Sequence, residues 1–484
     1  MQENNKEPIT KKKVATSFIW NLSEKIASQG LQFVISIILA RILMPNDYGV
    51  VALLMVFIQI ANVFVIDGFN SSLIQKKDSD DLDFSSVFWF TCIISLILYC
   101  ILFFSAPLIA HFYNQPVLTS LTRIFALSFF YTPLASCQYA YVEKHLLFKV
   151  YLLRSIICMI LSGTISIIMA LKGFGVYALV IQSLTYGVSN SIVLWFTVEW
   201  HPKFIFSRER IKGLFSYGWK FVVSGFLGNI FRNIYSLIIG KTYDANQLGF
   251  YNRGQQFPGI IANNFTPALK NVIFPTFSSK NDDINAVKNM LRRAVSINSY
   301  ILMPLLFGLA ATGRPLTLLL LTEKWEASIP FLQMLCLYFI FYYMNEPNMT
   351  AINSLGKSGV FLKYEIIKKS ITVLALFISI PFGIYAMTIG QITVTLISSL
   401  LNFIPSKRFL NYSYREQISD ILPNFILSIL MGSVVYAASF IPLGLLPKLI
   451  LQVFIGVSVY ILCSFIFKLS SFTYLVDIIK LRKN

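Results

Sequence analysis

The chain carries ISIILARILMPNDYGVVA at Ile35–Ala52 and, two hundred residues later, YSLIIGKTYDANQLGFYN at Tyr235–Asn252. The two stretches align without a gap, so that Gly49 is paired with Gly249. Both stretches join an apolar run to a short polar turn and a second apolar run. This gapless match is the first sign of an internal repeat.

A second match supports the same repeat. FGVYAL at Phe174–Leu179 corresponds to FGIYAM at Phe382–Met387, at an offset of 208 residues. The two matches occur in the same order at nearly the same offset. They predict that the first six apolar segments are repeated as the seventh to twelfth, a pattern that is common in transporters.

Composition identifies the chain as a membrane protein. Hydrophobic residues make up 56% of it and charged residues 13%, against about 25% charged in a soluble domain, and the mean hydropathy is +0.67. A soluble domain cannot bury so much apolar surface, and a disordered chain needs more charge. The net charge of +18 lies in short clusters between apolar runs, which is typical of cytoplasmic loops rather than of a nucleic-acid-binding surface.

Apolar runs that could cross a bilayer occur about fourteen times, since a helix needs about 20 mostly apolar residues to span it. The predicted spans are 15–40, 48–73, 85–108, 117–139, 151–171, 175–198, 213–239, 249–275, 290–312, 328–351, 360–380, 384–404, 418–439 and 442–467. With the N-terminus inside, twenty-eight of the forty Lys and Arg residues fall on the cytoplasmic side and six on the outer side. The positive-inside rule therefore predicts that both termini are cytoplasmic.

The repeat and the spans together predict three regions of an all-α integral membrane protein. Residues 1–200 and 201–410 are each a six-helix bundle, and residues 411–484 hold two extra transmembrane helices and a cytoplasmic tail. Because six is an even number, both bundles have the same orientation, and they enclose a central cleft about an axis along the membrane normal. No connection is long enough for a folded domain outside the membrane.

Polar side chains concentrate on the first two predicted spans of each repeat and would line this cleft. Cations within a span are costly and therefore suggest a function, and they suit an anionic solute; arginine in particular suits phosphate. Lys220 and Lys270, near cytoplasmic ends, fit simple snorkelling better. The candidate substrate-binding residues are Lys25, Gln32, Arg232, Arg253, Gln256, Asn263 and Asn264.

Two acidic residues complete the candidate set. Glu24 either neutralises Lys25 or Arg232 as a structural pair, or is the protonatable group of an ion-coupling site. Asp67, near the inner end of the second span, fits a helix-end or gating contact. The three histidines are scattered without ligand-like spacing, so we expect no metal site. No catalytic residue and no cofactor is expected, with H⁺ or Na⁺ as the candidate coupling ion.

Several motifs resemble those of a known family. They are LQFVISIILARILMPNDYGVVAL at Leu31–Leu53, the Gly-and-Gln-Lys-Lys-Asp segment at Gly68–Asp78, FRN at Phe231–Asn233 and LGFYNR at Leu248–Arg253. Together they are similar to the Wzx-type polysaccharide flippases, and more narrowly to the colanic-acid (WzxC-like) and teichuronic-acid exporter branch.

The resemblance implies the fold of the multidrug/oligosaccharidyl-lipid/polysaccharide (MOP) exporter superfamily, with two six-helix bundles around a V-shaped cavity. It implies a flippase that moves undecaprenyl-diphosphate-linked O-antigen, capsule or exopolysaccharide repeat units to the outer leaflet of the bacterial plasma membrane. By motif position, Lys25 and Arg253 match the cationic residues that hold the diphosphate in related lipid II flippases. Tyr235 departs from the pattern, because this branch often has an acidic residue there.

The implied partners are the lipid-linked oligosaccharide, membrane lipids, a polysaccharide polymerase and glycosyltransferases, and no nucleic acid. Three rival functions remain open at this stage. A MATE-like exporter of cationic drugs would favour an acidic cleft. A membrane polysaccharide polymerase or ligase would need a larger outer loop with catalytic side chains. A scaffold for glycosyltransferases would use the basic loops without transporting anything.

Overall fold

A computed structural model of the chain describes residues 11–76, 78–145, 149–278, 283–344 and 346–481. These residues form helices with short connections and contain no strand. The helices are α1 (Lys11–Ile42), α2 (Pro45–Gln75), α3 (Asp81–Phe112), α4 (Val117–Ala126), α5 (Ser128–His145), α6 (Lys149–Leu171), α7 (Val176–Thr197), α8 (Arg208–Thr242), α9 (Ala245–Ser278), α10 (Ile284–Leu321), α11 (Ile329–Met344), α12 (Glu346–Ser354), α13 (Ser358–Ser379), α14 (Ile384–Leu410), α15 (Tyr414–Ala437), α16 (Leu445–Ile466) and α17 (Ser470–Leu481). The all-α prediction is confirmed.

Twelve helical segments in the described part of the chain are long and apolar enough to cross a membrane. The two other predicted spans, 249–275 and 360–380, are helical as well, in α9 and α13. Their composition sets them apart: α9 carries many amide side chains, and α13 has four charged residues, Lys363, Glu365, Lys368 and Lys369. The count of fourteen spans and the orientation of the termini stay predictions.

The second repeated motif has the same structural role in both places. Gly175 and Gly383 immediately precede α7 and α14, with φ angles of +54° and +93°. Residues that carry a Cβ atom rarely adopt these positive φ values, so glycine is favoured at both turns. The sequence match FG-(V/I)-YA therefore corresponds to a tight turn that ends one helix and starts the next.

The chain divides into two compact units, Met1–Gly249 and Phe250–Asn484, which we call unit 1 and unit 2. The boundary lies inside α9, one turn after its start. These units are defined by packing, whereas the predicted regions 1–200, 201–410 and 411–484 follow the repeat. The predicted regions stay a prediction.

In unit 1, the starts of α2 and α9 cross at very close range. A Cβ atom on Gly49 would lie 1.6 Å from the carbonyl oxygen of Ala245, and one on Gly249 would lie 2.0 Å from the carbonyl oxygen of Pro45. Positions 45 and 49 thus exchange contacts with positions 245 and 249, their partners in the repeat alignment. Such a reciprocal arrangement is the mark of local two-fold symmetry.

The connection between α7 and α8 is held to the start of α3. The backbone N–H groups of Lys203 and Ser207 donate to the hydroxyls of Ser85 (3.0 Å) and Ser86 (2.9 Å), and the Trp89 indole donates to the Lys203 carbonyl (2.9 Å). These bonds satisfy backbone groups in a segment without secondary structure. They fix the connection that leads from the first repeat into the second.

Ion pairs also join the start of α3 to its neighbours, and the difference in their burial leads to the first prediction. The fully buried Asp83 carboxylate lies 2.5 Å from Lys76 Nζ and 3.6 Å from Arg210 Nη1, whereas Asp81 pairs with Lys203 at the surface. Asp83→Asn should lower the free energy of unfolding by about 1–3 kcal/mol, because a buried charge-assisted contact is lost. Asp81→Asn should cost less than about 1 kcal/mol, because exposed ion pairs contribute little. Thermal unfolding of the purified variants measures both effects. Equal losses of stability would mean that the buried Asp83 carboxylate contributes no more than the exposed Asp81.

In unit 2, α15 and α16 pack against α10 through buried polar contacts. Asn424 Nδ2 donates to Ser299 Oγ (2.8 Å), and the Tyr460 hydroxyl donates to the Tyr300 carbonyl (2.8 Å). Near the start of α15, Arg292 of α10 donates two hydrogen bonds to Asp420, at 2.7 and 2.8 Å. The two helices beyond the repeat are therefore integral to the packing of unit 2.

Candidate functional site

Two of the predicted site cations are exposed in unit 1, within helices of membrane-spanning length. Lys25 lies on α1 and Arg232 on α8, and both side chains are exposed. Gln32, two turns after Lys25, is exposed on α1 as well. In a membrane such cations require water or an anionic partner. Three predicted site residues of unit 1 are therefore accessible to a ligand.

The predicted polar stripe of α1 is divided between two environments. Lys25 and Gln32 are exposed, whereas Ser28 and Ser36 are buried, each 8% exposed. The Ser28 hydroxyl donates to the carbonyl of Glu24 in its own helix (2.8 Å). The serines therefore serve helix packing, and only part of the stripe is available to a ligand.

Glu24 belongs to a polar cluster inside unit 1. Ser155 Oγ of α6 donates to Glu24 Oε1 (2.8 Å). The neighbouring Arg154 guanidinium lies over the Tyr139 ring, 5.1 Å from its centre, and the Asn190 amide donates to the Tyr139 hydroxyl (2.9 Å). We call Glu24, Tyr139, Arg154, Ser155 and Asn190 the unit 1 polar cluster, because neighbouring residues of α6 contact Glu24 and Tyr139.

Arg154 is the member of this cluster that sequence reasoning missed. Its place near the start of a predicted span assigned it to the cytoplasmic basic residues, yet it is buried at 4% exposure. A signal for this was present in the sequence. Cys158, Ser162 and Ser166 continue from Arg154 at four-residue spacing, and all are buried. A row of small residues at that spacing is typical of a helix-packing face in membranes.

The second span contributes amides that contact neighbouring helices. Asn233 Nδ2 of α8 donates to Gln59 Oε1 of α2 (3.2 Å), next to the exposed Arg232. Asn70 of α2 exchanges hydrogen bonds with Ser136 of α5. Asp67 also lies in α2, but its side chain is outside the described part of the structure.

In unit 2, Arg253 lies near the start of α9 and is buried at 4% exposure. Its guanidinium lies over the fully buried Trp325 ring, 5.4 Å from the ring centre, and donates to Gln256 Oε1. Trp325 belongs to the short 3-10 helix that follows α10. Stacking on tryptophan stabilises a cation by about 0.5–2 kcal/mol. The structure thus brings Arg253 and Gln256 together, with Arg253 buried and Gln256 partly exposed.

The amides further along α9 have a different environment. Asn263 and Asn264 are exposed. The Tyr343 hydroxyl of α11 donates to Asn263 Oδ1, and Asn264 Nδ2 donates to the Ile260 carbonyl (2.7 Å). These two predicted site residues are therefore accessible, whereas Arg253 is covered. The predicted site is not a single exposed surface in unit 2.

The sequence of this chain matches that of a known protein family. A family model described as "Polysaccharide biosynthesis protein" matches residues 38–330, more than half of the chain. The chain belongs to this polysaccharide biosynthesis protein family. The family expected from the sequence motifs is thereby confirmed.

Curated relatives agree with this membership. The chain is 26% identical over 394 residues to the teichuronic acid biosynthesis protein TuaB of Bacillus subtilis (strain 168), which covers 78% of this chain and 79% of the relative. It is 23% identical over 436 residues to the lipopolysaccharide biosynthesis protein WzxC of Escherichia coli (strain K12), covering 88% and 87%. It is 26% identical over 329 residues to the succinoglycan biosynthesis transport protein ExoT of Rhizobium meliloti (strain 1021), covering 68% and 67%.

Solved structures show the fold of this family member. An inward closed conformation of the lipid II flippase MurJ has a TM-score of 0.73 at 16% identity, covering 93% of this chain and 98% of that protein. An inward-facing MATE transporter of the MOP superfamily has a TM-score of 0.61 at 14% identity, covering 82% and 99%. The predicted transporter fold is confirmed, and this member of the family is a multi-pass membrane protein.

Proposed function

We propose that this chain is a flippase, and not an enzyme, that translocates undecaprenyl-diphosphate-linked oligosaccharide from the inner to the outer leaflet by alternating access. The observation that carries the proposal is the exposure of Lys25 and Arg232 within membrane-length helices. Two such cations suit a diphosphate, which offers acceptor oxygens and negative charge at membrane depth. The names of the relatives, which refer to polysaccharide biosynthesis and transport, support the same substrate class.

The proposed mechanism separates the two ends of the substrate. The diphosphate head pairs with Lys25 and Arg232, while the prenyl tail stays in lipid. Gln32, an exposed amide on the same helix as Lys25, would donate to sugar hydroxyls. Rearrangement of the helices then exposes the oligosaccharide to the outside. The membrane potential drives this movement, at about 2.3 kcal/mol per charge per 100 mV for negative charge that leaves an inside-negative cell.

The proposal includes the setting in which this occurs. The chain lies in the bacterial plasma (inner) membrane as a multi-pass protein, with lipid-linked polysaccharide precursor and membrane lipids as its partners. Glycosyltransferases would supply the substrate, and a polysaccharide polymerase would consume it after translocation. Coupling to H⁺ or Na⁺ is part of the proposal, with Glu24 as the group that would bind the ion.

The rival functions make different demands on the same residues. A MATE-like exporter of cationic drugs would need carboxylates at the exposed positions of Lys25 and Arg232. The two cations would instead repel a cationic drug by several kcal/mol at close range. A polymerase or ligase would need catalytic acids and bases on an outer loop. The connection between α10 and α11 is the short 3-10 helix Glu323–Ser328, which leaves little room for them.

Flipping in proteoliposomes tests the proposal. Fluorescent undecaprenyl-diphosphate oligosaccharide in both leaflets should become accessible to an external quencher faster with the purified protein than in protein-free vesicles. An inside-negative potential should increase the rate, because the head group carries negative charge. Uptake of a cationic dye in the same vesicles is the matched test for the MATE-like function. Dye transport without lipid exchange would overturn the proposal, and the absence of both would favour the scaffold.

A further inference from the structure

Tyrosine side chains form a row along α11 in unit 2. Tyr338 and Tyr342 are one helical turn apart, and their ring centres lie 5.6 Å from each other. Tyr342 is 51% exposed, and Tyr338 is partly exposed. The ring of Tyr343 meets that of Tyr342 edge to face, with 4.7 Å between the ring centres. Because neighbouring rings hold it in place, Tyr342 offers a fixed aromatic surface to a ligand.

The row continues onto α9 through a hydrogen bond. The Tyr343 hydroxyl donates to Asn263 Oδ1, and Asn264 follows on α9; both asparagines are exposed. One turn before Asn263, a Cβ atom on Gly259 would lie 3.6 Å from the ring of Phe339, so α9 and α11 are in contact at this level. We call the following five residues the α9–α11 surface: Asn263, Asn264, Tyr338, Tyr342 and Tyr343.

The exposed amides indicate that this surface faces water rather than lipid. Asn263 and Asn264 lie in the predicted span 249–275, and Tyr342 lies in the membrane-length segment Glu323–Ser354. An amide in contact with hydrocarbon loses its hydrogen bonds to water, which is costly. Polar side chains at membrane depth therefore face a cavity or the interior of the helix bundle. Because the Tyr343 hydroxyl contacts Asn263, the tyrosine row borders the same aqueous space.

A surface of amides beside tyrosine rings has the chemistry of a carbohydrate site. A sugar ring presents C–H groups on its faces and hydroxyls around its edge. The C–H groups pack on the electron-rich face of an aromatic ring, and the hydroxyls exchange hydrogen bonds with carboxamides, which both donate and accept. The bond from Tyr343 uses the oxygen of the Asn263 carboxamide, so its N–H groups are the part that can donate to a ligand. All five side chains are uncharged, which suits a neutral sugar better than a diphosphate.

We propose that the α9–α11 surface binds the sugar part of the lipid-linked oligosaccharide, with the ring of Tyr342 as the platform on which one sugar stacks. Asn263 and Asn264 hydrogen-bond to the hydroxyls of that sugar. The proposal rests on the proposed function for the identity of the ligand. Position 342 needs an aromatic ring but no hydroxyl, because stacking uses the face of the ring. The surface thereby favours a lipid that carries sugar over bare undecaprenyl diphosphate.

Binding to the purified full-length protein tests this proposal without a flipping assay. The two probes are undecaprenyl-diphosphate oligosaccharide isolated from the cells that make this protein, and undecaprenyl diphosphate without sugar. Wild type should bind the first probe more tightly. Tyr342→Leu should weaken binding of the first probe about three- to tenfold, the effect of one lost aromatic contact, and change binding of the second by less than about twofold. Tyr342→Phe should bind both probes like wild type.

Two further variants make the comparison specific. Tyr436→Leu is the matched control, because Tyr436 in α15 is also 51% exposed and its ring also lies beside another, that of Phe440, at 5.7 Å. It should change the binding of neither probe. Asn264→Ala should weaken binding of the sugar-bearing probe alone, by about threefold or more, because a hydrogen bond to the sugar is lost. Since Asn264 is exposed, this variant serves even if Tyr342→Leu fails to fold.

Equal affinity of wild type for the two probes, or equal losses in Tyr342→Leu and Tyr436→Leu, would overturn the proposal. Tetraethylammonium should not compete with the sugar-bearing probe. Competition that Tyr342→Leu removes would overturn the proposal in favour of a cation site, since aromatic rings also bind quaternary ammonium groups. Selective binding of the sugar-bearing probe without flipping in proteoliposomes would refute the proposed function and leave this surface intact. Flipping without any preference for sugar would do the reverse.

Discussion

Gly49→Ala should lower the stability of the protein by about 3 kcal/mol or more, with a fall in apparent Tm of roughly 6–12 °C. The added Cβ would lie 1.6 Å from the carbonyl oxygen of Ala245, a backbone atom that no side-chain rotation can move. The starts of α2 and α9 must separate to make room for it. Gly249→Ala should have a comparable effect, because its Cβ would lie 2.0 Å from the Pro45 carbonyl oxygen. Thermal unfolding of the purified variants in one detergent measures both.

Two other helical glycines supply the control. A Cβ on Gly30 of α1 or on Gly228 of α8 would meet no atom within 4 Å. Alanine at either position should leave Tm unchanged or raise it slightly, since alanine favours the helix over glycine by about 1 kcal/mol. If Gly49→Ala were as stable as these controls, the close crossing of α2 and α9 would be wrong.

Replacing the two exposed candidate cations of unit 1, in Lys25→Gln/Arg232→Gln, should slow flipping by about a hundredfold to ten-thousandfold. Each cation can make a charge-assisted contact with the diphosphate that contributes about 1.5–3 kcal/mol, and the two contributions together set this range. Both side chains are exposed, so Tm should change little. The initial rate of quencher access to fluorescent undecaprenyl-diphosphate oligosaccharide is the measurement. The single variants should each show an intermediate loss.

Lysines at helix ends provide the comparison for this loss. Lys172, which follows α6, is exposed, and Lys448, in the first turn of α16, is partly exposed. Their double replacement by glutamine removes the same net charge from the protein and should leave the flipping rate within twofold of wild type. A similar loss in both double variants would mean that overall charge, and not a specific diphosphate contact, governs transport.

The glycines of the repeated motifs lie at sterically restricted positions in the structure. The alignment pairs Gly49 with Gly249, and the structure places both at the crossing of α2 and α9. The FG-(V/I)-YA motif likewise marks two turns that require the positive φ of Gly175 and Gly383. Glycine is demanded at such places by steric exclusion, which acts on the residue itself. The two turns could therefore be predicted from local sequence, whereas the contacts of Gly49 and Gly249 depend on the crossing of two helices that are distant in sequence.

The candidate site was only partly predictable. Lys25 and Arg232 are exposed as expected, but Arg253 is buried beside Trp325 at 5.4 Å. The sequence places Trp325 more than seventy residues from Arg253, and no local pattern records their contact. Arg154 was likewise missed, because its burial depends on α1, α5 and α7, and not on its own helix alone.

The sequence by itself determined that this protein is helical, lies in a membrane, contains a repeat and belongs to a polysaccharide biosynthesis family. Hydropathy and helical period are properties of short segments, and apolar runs of about 20 residues have one stable solution in lipid. Only the tertiary structure decided which face of each polar helix is accessible. It exposed Lys25, buried Ser28 and joined Glu24 to the cluster that contains Arg154. The reason is that burial of a side chain is set by contacts with helices distant in sequence, and periodicity within one helix does not specify its neighbours.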